Sequence, residues 1–451
     1  MKPSTTNKTA AEVANGLKNN EFTSEELVIE ALENIYNCSD QSIFINVTAQ
    51  RALAEAVASD QRRKNNQLLS ELDGVLIVWK DLFDLEGVAT TAGSKIYENA
   101  VPAEKDAEVV SNCKALGLVC LGKTNLAEFA YSGLGLNPHY GTPINPNSSD
   151  SPKAPGGSSA GSAVAVALGL TPLAIGTDTA GSVRVPASFC GITGFKSSQN
   201  RYSKKGVFPL SSSLDSLGAF ANNVDDLIQV DALMRGKASV SLPMSDIKNS
   251  TFLIPESIVF DGISSDIHNT FDMFVEKLKL AGATIKFQAF PLFDEVSELF
   301  KKHGTLTVAE AYTYHEDLLL SPQAEHMDQR VRNRMLTAKQ VSTTDYIKLQ
   351  WARMRLQQEV TDMLGDEFLL FPTTPITAPD IAELEASDEL FNTTNLTALR
   401  NTMLGNYLGT PGVSFSIGND AEGLPIGALI SAPVDQDDRV LAVCRAVEDL
   451  L

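Results

Sequence analysis

The chain has little that would take it to a nucleic acid or a membrane, and little that would hold a metal. Its 36 Lys and Arg are outnumbered by 56 Asp and Glu, for a net charge of -20. That balance argues against wrapping nucleic acid or docking on an anionic membrane, since both need a basic surface. The start, MKPSTTNKTAAEVANGL, lacks the apolar core of a signal peptide. The longest uncharged stretch, Ala154 to Thr177, is broken by Gly156, Gly157, Gly161, Pro172 and several serines. A membrane span needs a more uniformly apolar run, so this stretch reads as buried interior. The five cysteines (Cys38, Cys113, Cys120, Cys190 and Cys444) include no C-x-x-C pair. They fit buried free thiols in a reducing, cytoplasmic compartment and support neither a zinc site nor a cysteine nucleophile. The five histidines show no metal-ligand spacing, and His315, beside Glu316 in a polar helical stretch, is expected to be solvated. No metal or cofactor is expected.

What is present is a large globular chain of 451 residues, 43% hydrophobic and 20% charged. Residues 1–65 read as N-terminal helices, with Thr23-Ser24-Glu25-Glu26 forming a capping-box pattern and a surface helix over Arg51 to Arg63. From Asp73 onward, short apolar runs at Gly74–Val78, Gly117–Leu121 and Leu173–Gly176 alternate with helical stretches at Asp106–Leu116 and Ser159–Leu168. Buried strands alternating with helices predict a sheet covered on both faces. The organisation expected is one domain over 1–451. Within it, 66–235 forms a catalytic core, 236–250 a linker, 251–370 a mostly helical substrate-side region and 371–451 a C-terminal core. Phe252–Ile254, Thr284–Phe287, Phe368–Pro372 and Leu424–Ile430 read as further strands, and Ile267–Leu280 as a helix. Phe293–Leu364 and the loop-like stretch Glu383–Leu396 carry no motif and are expected to set substrate choice.

The densest chemical signal is Pro155-Gly-Gly-Ser158-Ser159-Ala-Gly-Ser162, followed by Gly176-Thr-Asp178-Thr179-Ala180-Gly181-Ser182-Val-Arg184. Glycine-rich turns let backbone approach a ligand closely, and successive N–H groups in one turn can converge on an anion. A serine beside such donors suits acyl transfer, whose tetrahedral intermediate carries negative charge on the former carbonyl oxygen. A single Gly-Ser loop is usually only a turn. Two of them together with Lys80, at the end of the buried run Val75–Trp79, say more. Such a lysine either reaches water, pairs with a carboxylate, or is desolvated into a neutral amine able to act as a base. One further pattern misleads: Gly117 to Thr124 fits G-x-x-x-x-G-K-[ST]. Its intervening Leu-Val-Cys-Leu is itself a strand, where a nucleotide-binding loop needs flexible backbone.

These segments resemble the amidase signature hydrolases over most of the chain. Asp73-Gly-Val-Leu-Ile-Val-Trp-Lys80-Asp81, Gly122-Lys-Thr-Asn125-Leu-Ala-Glu128-Phe129-Ala130, the two Gly/Ser loops, Ser211-Ser-Ser-Leu214-Asp215-Ser-Leu-Gly218, Phe371-Pro372-Thr-Thr-Pro375 and Gly423-Leu-Pro425-Ile-Gly427 carry the likeness. The resemblance implies an α/β fold with a large mixed β-sheet sandwiched between helices. It implies Lys80 as general base, Ser158 as bridging serine on a cis peptide, and Ser182 as the acylated nucleophile. The N–H groups of Thr179, Ala180, Gly181 and Ser182 would form the oxyanion hole. Asp178 would brace the loop with Arg184, and Ala130, Tyr131 and Ser132 would line the acyl pocket. Ala160 and Ala180 depart from the family's commoner glycine and narrow the space beside the site.

The activity so implied is hydrolysis of a small-molecule amide, with no nucleic acid or membrane as direct partner and a homodimer left open. Two alternatives stay beside it. One is the glutaminase subunit of a tRNA-dependent amidotransferase, against which the end at Leu451 speaks, because that subunit is expected to carry a longer tail. The other is a hydrolase of urea-type, allophanate-like amides, suggested by the wording Thr-Asp-Thr-Ala-Gly-Ser. A catalytically dead binding protein would have no need to keep Lys80, Ser158 and Ser182 together.

Overall fold

The computed structural model describes residues 8–243 and 245–451; the first seven residues and Met244, inside the expected linker, lie outside the described residues. Eleven strands form one sheet: β1 (Phe44–Val47), β2 (Leu76–Lys80), β3 (Val119–Thr124), β4 (Leu173–Asp178), β5 (Thr193–Lys196), β6 (Ser216–Ala221), β7 (Thr251–Glu256), β8 (Thr284–Ala289), β9 (Phe368–Pro372), β10 (Gly412–Asn419) and β11 (Pro425–Ser431). Their spatial order is β1-β3-β2-β4-β6-β5-β10-β11-β9-β7-β8. β2 runs parallel to β3 and β4, and β7 is parallel to β8 and β9. The other neighbours are antiparallel, so the sheet is mixed. Strands from both sides of residues 236–250 share it.

Fifteen α-helices among the described residues cover the sheet. Alternation along single strands shows that both faces are buried. Phe252, Phe368, Leu370 and Ile430 pack into one apolar cluster, while their neighbours Leu253, Leu369, Phe371 and Leu429 pack into another. Side chains of period two reach opposite faces, so these strands need apolar residues at every position. That is why they read as continuous apolar runs. Among the described residues no helix is long and apolar enough to cross a membrane.

Local signals hold where chemistry is local. Thr23 caps the helix Ser24–Asn37 through the reciprocal bonds with Glu26 that the pattern predicts. Two readings fail. The stretch Glu383–Leu396 is helical rather than loop-like, divided between Ile381–Ala386 and Asp388–Tyr407. Ser387 caps the longer helix by accepting from Leu390 N at 3.1 Å. Its buried face runs through Phe391, Asn395, Ala398, Leu399, Thr402 and Asn406, and the three polar members hide the helical period. His315 is also buried, at 3% exposure. Its ring packs 4.5 Å from that of Phe129 and 5.7 Å from that of Phe208. Burial pushes its pKa down to about 4, so the ring is neutral at pH 7. The residues 1–65 also contain β1, which pairs with β3 and was not legible as a strand.

The segment resembling a nucleotide-binding loop is strand, as its apolar interior requires. Gly122 and Lys123 lie inside β3, and Lys123 is buried against Asp81 at 2.6 Å. Removing one partner of a buried pair leaves an uncompensated charge. Lys123→Ala should therefore lower the unfolding free energy by about 3–5 kcal/mol in chemical denaturation, a loss that an exposed lysine would not produce.

Candidate active site

The parallel strands β2, β3 and β4 end together, and open α/β sheets place ligands at the carboxyl ends of such strands. Lys80 closes β2, while β4 runs through Thr177 and Asp178 straight into the loop Thr179–Ser182. Between β3 and β4 the chain passes through Gly156–Ser159 and enters the helix Ala160–Ala167. The peptide Gly157–Ser158 is cis. The amide N of Ser159 donates to Ser182 O at 3.3 Å, which joins the two Gly/Ser loops.

Lys80 is fully buried and donates to Ser158 Oγ at 2.7 Å and Thr177 Oγ1 at 2.8 Å. Among the described residues it has no carboxylate in salt-bridge contact. Burial pushes its pKa down to about 7, against the opposing pull of Asp178 and Asp215. A substantial neutral fraction therefore exists at neutral pH. Ser182 is 5% exposed. Among the described residues no hydrogen bond joins its Oγ to that of Ser158, so the lysine–serine leg is formed and the serine–serine leg is open.

The loop Thr179–Ser182 is built so that its carbonyls are occupied. Thr179 O accepts from Asn406 Nδ2, Ala180 O from Thr402 Oγ1 at 2.7 Å, Gly181 O from Val185 N at 2.8 Å and Ser182 O from Ser159 N. Gly181 has φ +145°, a region L-residues rarely adopt, and a Cβ there would collide with Thr402 Oγ1 and Val185. Among the described residues the N–H groups of Thr179, Ala180, Gly181 and Ser182 have no protein acceptor. Below the loop, Asp178 accepts from Arg184 Nε at 3.0 Å and Nη2 at 2.9 Å, and from Val183 N at 3.1 Å. Burial alone would raise the Asp178 pKa, but the Arg184 guanidinium outweighs it and holds the carboxyl below its ordinary value. The pair is structural in its contacts.

Ser132 lies alongside the cis peptide, and Ala130 and Tyr131 lead into it. Gly157 N donates to Gly133 O at 2.8 Å, and a Cβ on Gly157 would sit 2.9 Å from Ser132 O. Phe129 and Ala130 both have positive φ, turning the chain sharply at this point. Arg334 donates to Tyr131 O at 2.9 Å and stacks 4.5 Å over its ring. Asn395 Oδ1 accepts from Gly133 N at 2.7 Å and Ser132 Oγ at 3.3 Å. The sequence patterns gave no role to Thr177, Asp215, Arg334, Asn395, Thr402 or Asn406. Thr177 and Asp215 lie inside the motifs and were within reach; the others come from helices without a readable pattern. Among the described residues no group of three or more His, Cys, Asp or Glu is placed to hold a metal ion.

The Amidase family profile matches residues 26–441. The chain belongs to the amidase family. It is similar to a 2-amino-5-chloromuconic acid deaminase of Comamonas testosteroni, at 34% identity over 89% of this chain and 87% of that one. It is also similar to the A-type subunit of the glutamyl-tRNA(Gln) amidotransferase of Pseudomonas aeruginosa, at 33% identity over 98% of this chain and 97% of its relative. A crystal structure of an amidase superposes with TM-score 0.87 and 29% identity, covering 98% of this chain and all of the other. Membership makes the chain an amide-bond hydrolase.

The depressed Lys80 pKa has a thermodynamic consequence. Between pH 7 and 10 the unfolded chain binds a proton at Lys80 that the folded chain does not. Stability of the wild type relative to Lys80→Met should therefore rise with pH, by about 2 kcal/mol from pH 7 to pH 9. Paired urea titrations across that range measure it; a flat difference would mean that Lys80 keeps an ordinary pKa.

Proposed function

We propose that this member of the amidase family hydrolyses a small carboxamide to the carboxylate and ammonia through an acyl-enzyme on Ser182. The observation that carries the reading is a fully buried lysine, shifted to about 7, bonded to Ser158 beside a loop with four unengaged N–H groups. Neutral Lys80 takes the proton of Ser158 while Ser158 takes that of Ser182, and Ser182 Oγ attacks the amide carbon. The oxygen that becomes negative meets the N–H groups of Thr179, Ala180, Gly181 and Ser182. As the C–N bond breaks, the leaving nitrogen receives the proton through the same relay. Water then loses a proton to the relay, attacks the ester and releases the acid.

In this reading Ala130, Tyr131 and Ser132 flank the acyl group, and the Asp178–Arg184 pair keeps the loop in place. Both relatives above are named for chemistry at nitrogen on acidic or acyl substrates, which supports a small polar amide. We further read the chain as one domain working in a reducing, cytoplasmic setting, with dimerisation open. A partner-dependent glutaminase is the second reading. The alignment with the amidotransferase relative covers 97% of that protein, so a longer tail does not separate the two.

The test is ammonia release from glutamine, an aryl amide, short aliphatic amides and a urea-type amide, with Ser182→Ala and Lys80→Ala alongside. Wild type should turn over at least one, each variant should lose about 10⁴-fold, and kcat/KM should rise as pH passes through about 7. Full activity in Ser182→Ala would end the acyl-enzyme reading. Silence across the panel from folded protein would move the assignment to the partner-dependent glutaminase.

A further inference from the structure

We infer that the helix Asp388–Tyr407 orients the oxyanion donors, with Thr402 and Asn406 as positioning residues that act through the backbone carbonyls behind those donors. The inference rests on the Ser182 acyl-enzyme reading and extends it to residues far away in sequence. In a trans peptide the N–H of one residue points opposite to the C=O of the residue before it. Fixing a carbonyl therefore aims the next N–H.

All four carbonyls preceding the four donors are fixed in this way. Asp178 O accepts from Ser216 Oγ at 2.7 Å, aiming Thr179 N–H. Thr179 O accepts from Asn406 Nδ2, aiming Ala180 N–H. Ala180 O accepts from Thr402 Oγ1 at 2.7 Å, aiming Gly181 N–H, and Gly181 O accepts from Val185 N, aiming Ser182 N–H. The outer two anchors come from the loop's own surroundings, β6 and the following helix. The middle two come from one helix, four residues apart and therefore on one face.

The contact is close enough to leave no freedom. A Cβ on Gly181 would collide with Thr402 Oγ1 and lie 3.0 Å from Thr402 Cβ. Asn406 is a junction as well: its Nδ2 also donates to Leu214 O at 3.2 Å, and its Oδ1 accepts from Arg184 Nη2 at 3.4 Å. Thr402 is simpler: its one hydroxyl proton lies between Ala180 O at 2.7 Å and Leu399 O, one turn back, at 3.1 Å, the loop carbonyl being the nearer. Without these two side chains the central peptides of the loop are free to rotate, which would turn a carbonyl toward the developing oxyanion. A preorganised donor set is what gives such sites their effect on rate.

The experiment compares Thr402→Val, which keeps the shape and removes the hydroxyl, with Thr402→Ser, which keeps the hydroxyl. Two readouts are used: steady-state turnover of the best amide, and the rate of covalent labelling of Ser182 by a fluorophosphonate, which needs no knowledge of the substrate. Thr402→Val should lower kcat and the labelling rate by about 10- to 100-fold, with KM within about threefold and the pH midpoint unmoved. Thr402→Ser should recover most of the loss. Ser216→Ala, a small change on a different element, should lose a smaller factor in the same two readouts and serves if Thr402→Val does not fold. Wild-type rates in Thr402→Val, or a loss seen in KM alone, would overturn the inference. A wild-type protein that neither labels nor turns over any amide would instead remove the acyl-enzyme reading beneath it.

Discussion

Two lysines stand side by side at the ends of neighbouring parallel strands, and only one of them has a carboxylate. Lys80 and Lys123 are both fully buried. Asp81 follows Lys80 directly in the chain, yet its carboxylate turns to Lys123 at 2.6 Å and to the hydroxyl and N–H of Thr91. Lys80 is left with two hydroxyls. An ammonium bonded only to neutral groups in a buried interior is poorly stabilised, and it sheds its proton at lower pH than in water. The arrangement at the site depends on this distribution of charge. Burial pushes the Lys123 pKa down as well, but there the Asp81 carboxylate opposes it directly, whereas Lys80 has only hydroxyls in contact and falls to about 7.

The sheet makes that division possible. In register, Lys80 lies opposite Thr124 and Trp79 opposite Lys123, so the two lysines point to opposite faces. Each meets a different set of neighbours despite the short distance along the backbone. From the neighbouring strand β4, Thr177 Oγ1 meets Lys80 Nζ at 2.8 Å. The bottom of the site is thus fixed by strand register, where a slip of one residue would exchange the two faces.

Much of this was readable because it is written locally. The Gly/Ser loops, the charged residue ending an apolar run and the capping box at Thr23 are short patterns whose physics involves only near neighbours. What the sequence hid is carried by contacts across hundreds of residues. Asn395, Thr402 and Asn406 face inward from a helix, and being polar they break the apolar stripe that would have announced it. The same residues that obscured the helix are those that grip Gly133, Ala180 and Thr179. His315 was misread for a related reason: a polar side chain in a helix is usually solvated, and only the tertiary fold supplies the Phe129 and Phe208 rings that bury it.

The helical region that was expected to set substrate choice is tied to the loop by a second polar chain. Glu310, buried in the helix Leu306–Leu320, accepts from Ser211 Oγ at 2.6 Å, Ser213 N at 3.0 Å and Tyr346 Oη at 2.8 Å. Ser211 N and Leu210 N in turn donate to Asp215, whose other oxygen receives Thr179 Oγ1 at 2.6 Å. A buried carboxylate tolerates little displacement, because each lost hydrogen bond leaves charge unsatisfied. These helices therefore cannot slide to accommodate a different substrate without disturbing Asp215 and, through it, Thr179. The helices stay where Glu310 holds them.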